Sequence, residues 1–402
     1  MRPPRLLILL IVAQVLAMAG FANFAVLLPE FIELWSLSNT QAGWIGGIFF
    51  AGYVVAVPIL VGLTDVVDAK RVYIVGVIFG LIGSFGFSYF ADGFWTAMFF
   101  RLLAGISLAG TYMPGLQILN ARLDQERRDG AMPWYLGTVT IGTGTSFYLT
   151  GQLSEMVDWS QIFIVAGLLQ TLCLFLVLFG IPYKVPLPGP VISARHPLDF
   201  RPVFQNRAAL AYILSYAGHA YELFAFRAWG VAFLVFVSAS HAIPIGRAEL
   251  SSYIAAFSIF GMFASLVGAR LALRRGRHRI IKSIMGASFL VGGALGFLSG
   301  LPFMMVIAII GVYAGLLMAD SAALTAGVVG AVPDDERGAT LAMHSVLGFF
   351  GGFLGPLVVG LVLDLSGGQE SYLGWGFGCL AMAFGSLAGL LTLSRALRKY
   401  AN

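Results

Sequence analysis

Long apolar runs separated by short polar breaks dominate this chain. Crossing about 30 Å of hydrocarbon takes roughly 20 helical residues. Twelve runs approach or exceed that length, at approximately 6–28, 42–63, 73–91, 96–119, 133–154, 161–182, 208–236, 250–273, 283–299, 303–329, 341–363 and 373–393. Backbone N–H and C=O groups cannot stay unpaired in lipid, so each run is predicted to be a helix. The first run contains Ala17-Met18-Ala19, which looks like a signal-peptide cleavage site. Its apolar stretch exceeds the roughly 7–15 residues of such a peptide, so it reads as an uncleaved first helix.

The longest hydrophilic segment, 183–207, carries Pro186, Pro188, Pro190 and Pro197, which block helix continuation. It predicts an N-terminal six-helix bundle over 1–182, a cytoplasmic linker over 183–207 and a C-terminal six-helix bundle over 208–402. The halves also repeat. A shift of 209 residues places Gly142 on Gly351, Gly151 on Gly360, Arg128 on Arg337, Glu126 on Asp335 and Glu155 on Asp364. Parallel repeats joined by a linker are a known way of building carriers.

With the amino terminus in the cytoplasm, 21 of the 24 Lys and Arg fall on the cytoplasmic side. Arg247 alone lies outside, and Arg101 and Arg227 lie within runs. This positive-inside pattern predicts cytoplasmic termini and a multi-pass protein of the bacterial inner membrane.

Composition agrees. Hydrophobic residues make up 59% and charged residues 11% of the chain, with a mean hydropathy of +0.88. Soluble domains hold about 45–50% and about 25%, so the apolar surplus must face lipid. The net charge of +5 is accounted for by topology, and no nucleic-acid partner is expected. Cys173 and Cys379 both lie in apolar runs and imply no disulfide framework.

The loop after the second run reads Gly62-Leu63-Thr64-Asp65-Val66-Val67-Asp68-Ala69-Lys70-Arg71. It resembles the major facilitator signature of a glycine, an acid, another glycine and a basic cluster, with Asp68 in place of the second glycine. The fourth run's Arg101-Leu102-Leu103-Ala104-Gly105 and the loops Asp124-Gln125-Glu126-Arg127-Arg128 and Asp334-Asp335-Glu336-Arg337-Gly338 resemble other motifs of that family. The Gly-Pro motif of its proton-coupled drug antiporters is missing from the fifth run, while Gly355-Pro356 stands at the repeat-equivalent place in the eleventh.

The resemblance implies an all-α membrane protein of twelve transmembrane helices in two pseudo-symmetric bundles, the major facilitator fold. It implies that Asp65 locks a cytoplasmic gate against a helix N-terminus. Lys70, Arg71, Arg128, Arg337 and His344 complete the gate set. It also implies that the first, fourth, seventh and tenth helices line a central cavity.

Ionisable groups inside the bilayer cost about 2.5–3.5 kcal/mol each on the lenient scale, and so mark cavities. The candidates are Arg101, His219, Glu222, Arg227, Asp320 and His344. Arg101, Glu222 and Asp320 fall on three of the four implied cavity helices. Tyr212, Tyr216, His219 and Glu222 recur at helical spacing and form one stripe. Tyr112 shares a face with Arg101, and Tyr313 with Asp320. Arg227 is turned about 140° from Glu222 on a regular helix, so the two should not bridge.

A carboxylate in a poorly hydrated site favours its neutral form unless a cation compensates. The expected function is therefore proton-coupled transport of a small, anionic organic solute by alternating access. Arg101 would hold substrate charge, and Glu222 with His219, or Asp320, would exchange the proton. Two alternatives stand beside it: a proton antiporter exporting amphipathic or cationic compounds, and a non-transporting sensor or assembly factor. His219-x-x-Glu222 alone does not make a metal site. No zinc-hydrolase motif or nucleotide-binding loop is present, so neither an enzyme nor a cofactor is expected. The expected partners are a small-molecule substrate, protons and lipid, with the chain a monomer.

Overall fold

The computed structural model describes residues 3–64, 66–183, 201–333 and 336–397. Most of the predicted linker, together with Asp65, Asp334 and Asp335, lies outside the described residues. The secondary structure of the described chain is helical: α1 Pro3–Ala17, α2 Asn23–Val26, α3 Leu28–Leu34, α4 Asn39–Leu63, α5 Ala69–Phe90, α6 Phe94–Arg122, α7 Gln125–Leu136, α8 Thr138–Leu153 and α9 Trp159–Gly180. It continues with α10 Arg201–Gln205, α11 Arg207–Ser240, α12 Arg247–Arg275, α13 Arg277–Leu295, α14 Phe303–Ala319, α15 Ser321–Gly330, α16 Arg337–Leu365 and α17 Tyr372–Leu397. Ten stretches among the described residues are long and apolar enough to cross a membrane, and Arg5–Ala17 is a shorter apolar helix.

Three of the twelve apolar runs are not single helices, and a fourth, 283–299, passes from α13 into a 3-10 turn at Gly296–Leu298. The first was expected to be continuous, but α1 stops at Ala17 and the chain turns through Met18–Ala22 before α2. Such a break in an apolar segment needs partners for its freed backbone groups. Side chains from two other helices supply them. Ser146 of α8 donates to the Ala19 carbonyl at 2.7 Å and accepts from the Ala22 N–H at 2.9 Å. Gln170 Nε2 of α9 donates to the Ala17 carbonyl at 3.2 Å. Pro29, which brings no N–H, sits in the first turn of α3, where none is needed.

The fifth run is interrupted at Gly137, between α7 and α8. The tenth is interrupted at Asp320, between α14 and α15, and there Ser265 Oγ of α12 accepts from the Ala322 N–H at 3.3 Å.

Ser146 bridges both sides of the first break, so Ser146→Ala should cost about 1–3 kcal/mol by orphaning one donor and one acceptor. Thermal denaturation in detergent measures it, and an unshifted midpoint would mean that water replaces the hydroxyl.

The chain divides into two compact units. The first comprises Met1–Leu27, Ile48–Pro190 and Gly246–Ala255, and the second Leu28–Gly47, Val191–Ile245 and Ala256–Asn402. Glycines let backbones meet within each. In the first, a Cβ on Gly76 of α5 would lie 2.5 Å from the Gly110 carbonyl carbon of α6. In the second, one on Gly385 of α17 would collide with the Gly218 carbonyl oxygen of α11. Close approach at small residues is what drives helix association in lipid, where the hydrophobic effect is absent.

Candidate functional site

In the second unit, α11 brings two buried titratable residues, His219 and Glu222, to different neighbours. Residues three apart on a helix differ by about 60° in direction, so the predicted stripe divides. His219 Nδ1 lies 2.8 Å from Asp320 Oδ1. Both residues are buried, 2% exposed each. Asp320 sits at the break in the tenth span, at the C-cap of α14. Tyr216 stacks on His219, with ring centroids 5.4 Å apart, and lies 3.9 Å from the His344 ring. His344 Nε2 approaches Thr325 Oγ1 at 3.5 Å. Tyr216 thus links the pair to His344 of α16, a residue the sequence assigned to the gate.

Glu222 is placed differently. One carboxylate oxygen accepts from Tyr313 Oη of α14 at 2.9 Å and Ser288 Oγ of α13 at 3.1 Å. The other accepts from Ser386 Oγ of α17. Four helices therefore meet on this carboxylate. Tyr313 and Asp320, expected to act on one face, are divided between Glu222 and His219.

In the first unit, Arg101 of α6 is 6% exposed. Its guanidinium lies over the rings of Phe49 at 4.8 Å and Phe24 at 5.8 Å, and its Nε has no hydrogen-bond partner. It lines a cavity of about 30 Å³, enough for one or two water-sized groups. Ser84 and Gln170 are the other polar side chains of the wall, hydrogen-bonded to each other at 3.0 Å. The break at Met18–Ala22 forms part of the same wall. Tyr112, predicted to share a helix face with Arg101, stacks on Tyr135, with centroids 6.0 Å apart. Arg227 in the second unit is also buried. It lies 5.5 Å from the Phe224 ring, its Nε is unpaired, and no bridge to Glu222 forms.

Of the residues predicted for the cytoplasmic gate, Lys70 and Arg71 lie in the first turn of α5. Lys70 Nζ donates to the Leu178 carbonyl at 2.8 Å and lies 3.9 Å from the Tyr183 ring, which Arg71 also approaches at 5.7 Å. Arg128 is half-buried and Arg337 exposed, each near the start of a helix. Asp65, the predicted gate acid, lies outside the described residues. Asp68, passed over as a substitution in the signature, caps α5 through the Lys70 N–H at 3.0 Å and pairs with Arg122 at 3.1 Å.

The architecture can be compared with known proteins. The Major Facilitator Superfamily model matches residues 10–356. This chain belongs to that superfamily.

Solved structures agree on the fold. A bacterial homologue of the human lysosomal transporter Spinster, inward-facing and unoccupied, superposes with a TM-score of 0.78 at 16% identity, covering 98% of this chain and 96% of the other. The nucleoside transporter NupG gives a TM-score of 0.77 at 18% identity, with 98% and 99% covered. A D-xylose–proton symporter gives 0.76 at 12% identity, with 96% of each covered. As a major facilitator protein the chain is a multi-pass membrane transporter and not an enzyme. Ser84, Gln170, Ser288 and Ser386, polar residues inside apolar runs, escaped the sequence reading. The signal for them was present, because a buried polar group in lipid must find a partner.

Proposed function

We propose that this chain is a proton-coupled secondary active transporter that moves a small, anionic organic solute by alternating access. Its expected setting is a bacterial inner membrane, with both termini cytoplasmic and the chain acting as a monomer. The observation that carries the reading is the buried His219–Asp320 pair at the broken tenth span. Broken spans are where carriers build substrate and ion sites, and an imidazole beside a carboxylate can hold one proton with no net charge, then carries a single negative charge once that proton is released. Support for the solute's sign comes from Arg101, a buried cation that faces a cavity and forms no ion pair among the described residues. Burying an unpaired charge is expensive, and a solute carboxylate arriving there would offset that cost. One structure with this fold is described as a D-xylose–proton symporter.

Glu222 has three hydroxyl donors already, so we assign it the role of a fixed junction and leave proton exchange to His219 and Asp320.

The test is ligand-induced thermal stabilisation against organic acids, organic cations and metals, on the parent protein and on Arg101→Ala. A class of organic anions should raise the parent midpoint by several degrees and leave Arg101→Ala unmoved. Anion stabilisation retained in the variant would remove Arg101 as the anchor. Cation stabilisation, kept or enhanced in the variant, would favour the exporting antiporter instead.

A further inference from the structure

The 209-residue shift that relates the two halves also relates two contacts at helix starts. Gly151 and Glu155 stand four residues apart at the end of α8, and Gly360 and Asp364 stand four apart at the end of α16. In the second unit, Asp364 accepts from the Asn39 N–H at 2.9 Å, Asn39 Nδ2 at 2.8 Å, the Thr40 N–H at 2.7 Å and Thr40 Oγ1 at 2.5 Å. In the first unit, Glu155 Oε1 accepts from the Ala248 N–H at 3.0 Å. Ala248 is the residue that the same shift places on Asn39. The two glycines repeat as well. A Cβ on Gly360 would collide with the Asn39 carbonyl, and one on Gly151 would lie 2.6 Å from Ser251 Cβ and 3.4 Å from Ala248 Cα.

The chemistry is the same in both places. The first N–H groups of a helix lack intrahelical partners and carry the positive end of its dipole, so a carboxylate satisfies both demands. In α4, Ser38 and Gln41 form a capping box: the Gln41 N–H donates to Ser38 Oγ at 3.1 Å and the Ser38 N–H donates to Gln41 Oε1 at 3.0 Å. The box leaves the amides of Asn39 and Thr40, and Asp364 takes both. The missing side chain one turn earlier, at Gly360 or Gly151, gives the capped helix room to approach.

The tied segments share a second property. Leu28–Gly47 comes from the first sequence repeat but packs in the unit that holds most of the second. Gly246–Ala255 comes from the second repeat and packs in the unit that holds most of the first. We propose that Asp364 and Glu155 are paired latches, one per repeat, that hold the starting ends of α4 and α12 in this conformation and release them during transport. A change of state must be driven by contacts that differ between the two states, and charge-assisted caps that form in only one state meet that requirement. The inference rests on membership of the transporter superfamily and is independent of the solute and of the coupling ion.

The native thiols, Cys173 and Cys379, are both buried, so an introduced thiol reports by itself. Gly46 suits the purpose, since its Cβ would sit 3.5 Å from Pro356 Cβ and 3.8 Å from Ala228 Cβ, ordinary contacts inside the second unit. In purified Gly46→Cys protein, labelling by a bulky maleimide should be slow. Adding Asp364→Asn should speed it about tenfold, the scale of a lost charged cap. A thiol introduced likewise by Ser251→Cys, beside Gly151, reports the other latch. There Glu155→Gln should speed labelling by about two- to threefold, because the charge removed assists one hydrogen bond instead of four. Asp364→Glu keeps the charge and should label near the parent rate. Unchanged labelling in Asp364→Asn would overturn the latch. So would equal acceleration by Asp364→Glu, which would mean that shape and not charge holds the end, or new reaction at Cys173 and Cys379, which would mean general loosening.

Discussion

Asp320→Asn should abolish solute accumulation driven by a pH gradient while solute-for-solute counterflow continues. Asparagine copies the size and polarity of a protonated aspartate, so His219, 2.8 Å away in the parent, keeps a neighbour of the same shape. The carboxylate is gone, so a proton taken up by His219 would stand as an uncompensated buried charge. For one proton per solute, a gradient of one pH unit sustains about a tenfold concentration ratio, since each unit is worth about 1.36 kcal/mol. The variant should hold a ratio of one. Counterflow needs only the loaded carrier to exchange across the membrane, and it survives because a permanently neutral side chain is compatible with the loaded form. Paired assays in proteoliposomes read both quantities from one preparation. An Asp320→Asn carrier that still concentrates solute would make the pair structural and return the coupling role to Glu222.

Much of the fold was legible because lipid leaves a chain few options. The apolar runs had to be helices, and ten of them are long, unbroken or nearly so. The breaks were not legible. Met18–Ala22 is as apolar as its surroundings, and it opens because Ser146 and Gln170, more than a hundred residues away, receive its backbone groups. The site was half legible for a related reason. The cost of burial picked out Arg101, His219, Glu222 and Asp320 one at a time, since that cost belongs to each residue. Partner choice belongs to neighbouring helices. The stripe of Tyr216, His219 and Glu222 could not show that a 60° difference in direction sends His219 to α14's broken end and Glu222 to hydroxyls on α13, α14 and α17. The match of Glu155 to Asp364 was visible as a number, but the amides they cap were not. The Ser38-x-x-Gln41 pattern of a capping box was there to be read.

Glu222 is where the junction and coupling roles diverge most sharply in experiment. Its carboxylate accepts from Tyr313, Ser288 and Ser386, tying α11 to three other helices. Glu222→Ala removes the acceptor and leaves three hydroxyls facing a cavity in a dry interior. Hydrogen bonds to a charged group contribute about 1.5–3 kcal/mol each in soluble proteins, and interhelical bonds in a membrane average about 0.6. Three bonds between the membrane average and the low end of the charged range give a loss of roughly 2–5 kcal/mol, large enough to lower the thermal midpoint markedly and to reduce yield. Glu222→Gln keeps one acceptor oxygen and introduces two donors, so it should cost less than half as much. Because Glu222 is a junction in this reading, the Gln variant should still concentrate solute in response to a pH gradient, which Asp320→Asn should not. Tyr313→Phe should fall between the parent and Glu222→Ala in stability with accumulation intact, since it deletes a single donor. A Glu222→Gln protein of near-parent stability that has lost gradient-driven accumulation but kept counterflow would invert the assignment, making Glu222 the exchanging carboxylate and the His219–Asp320 pair the support beside it.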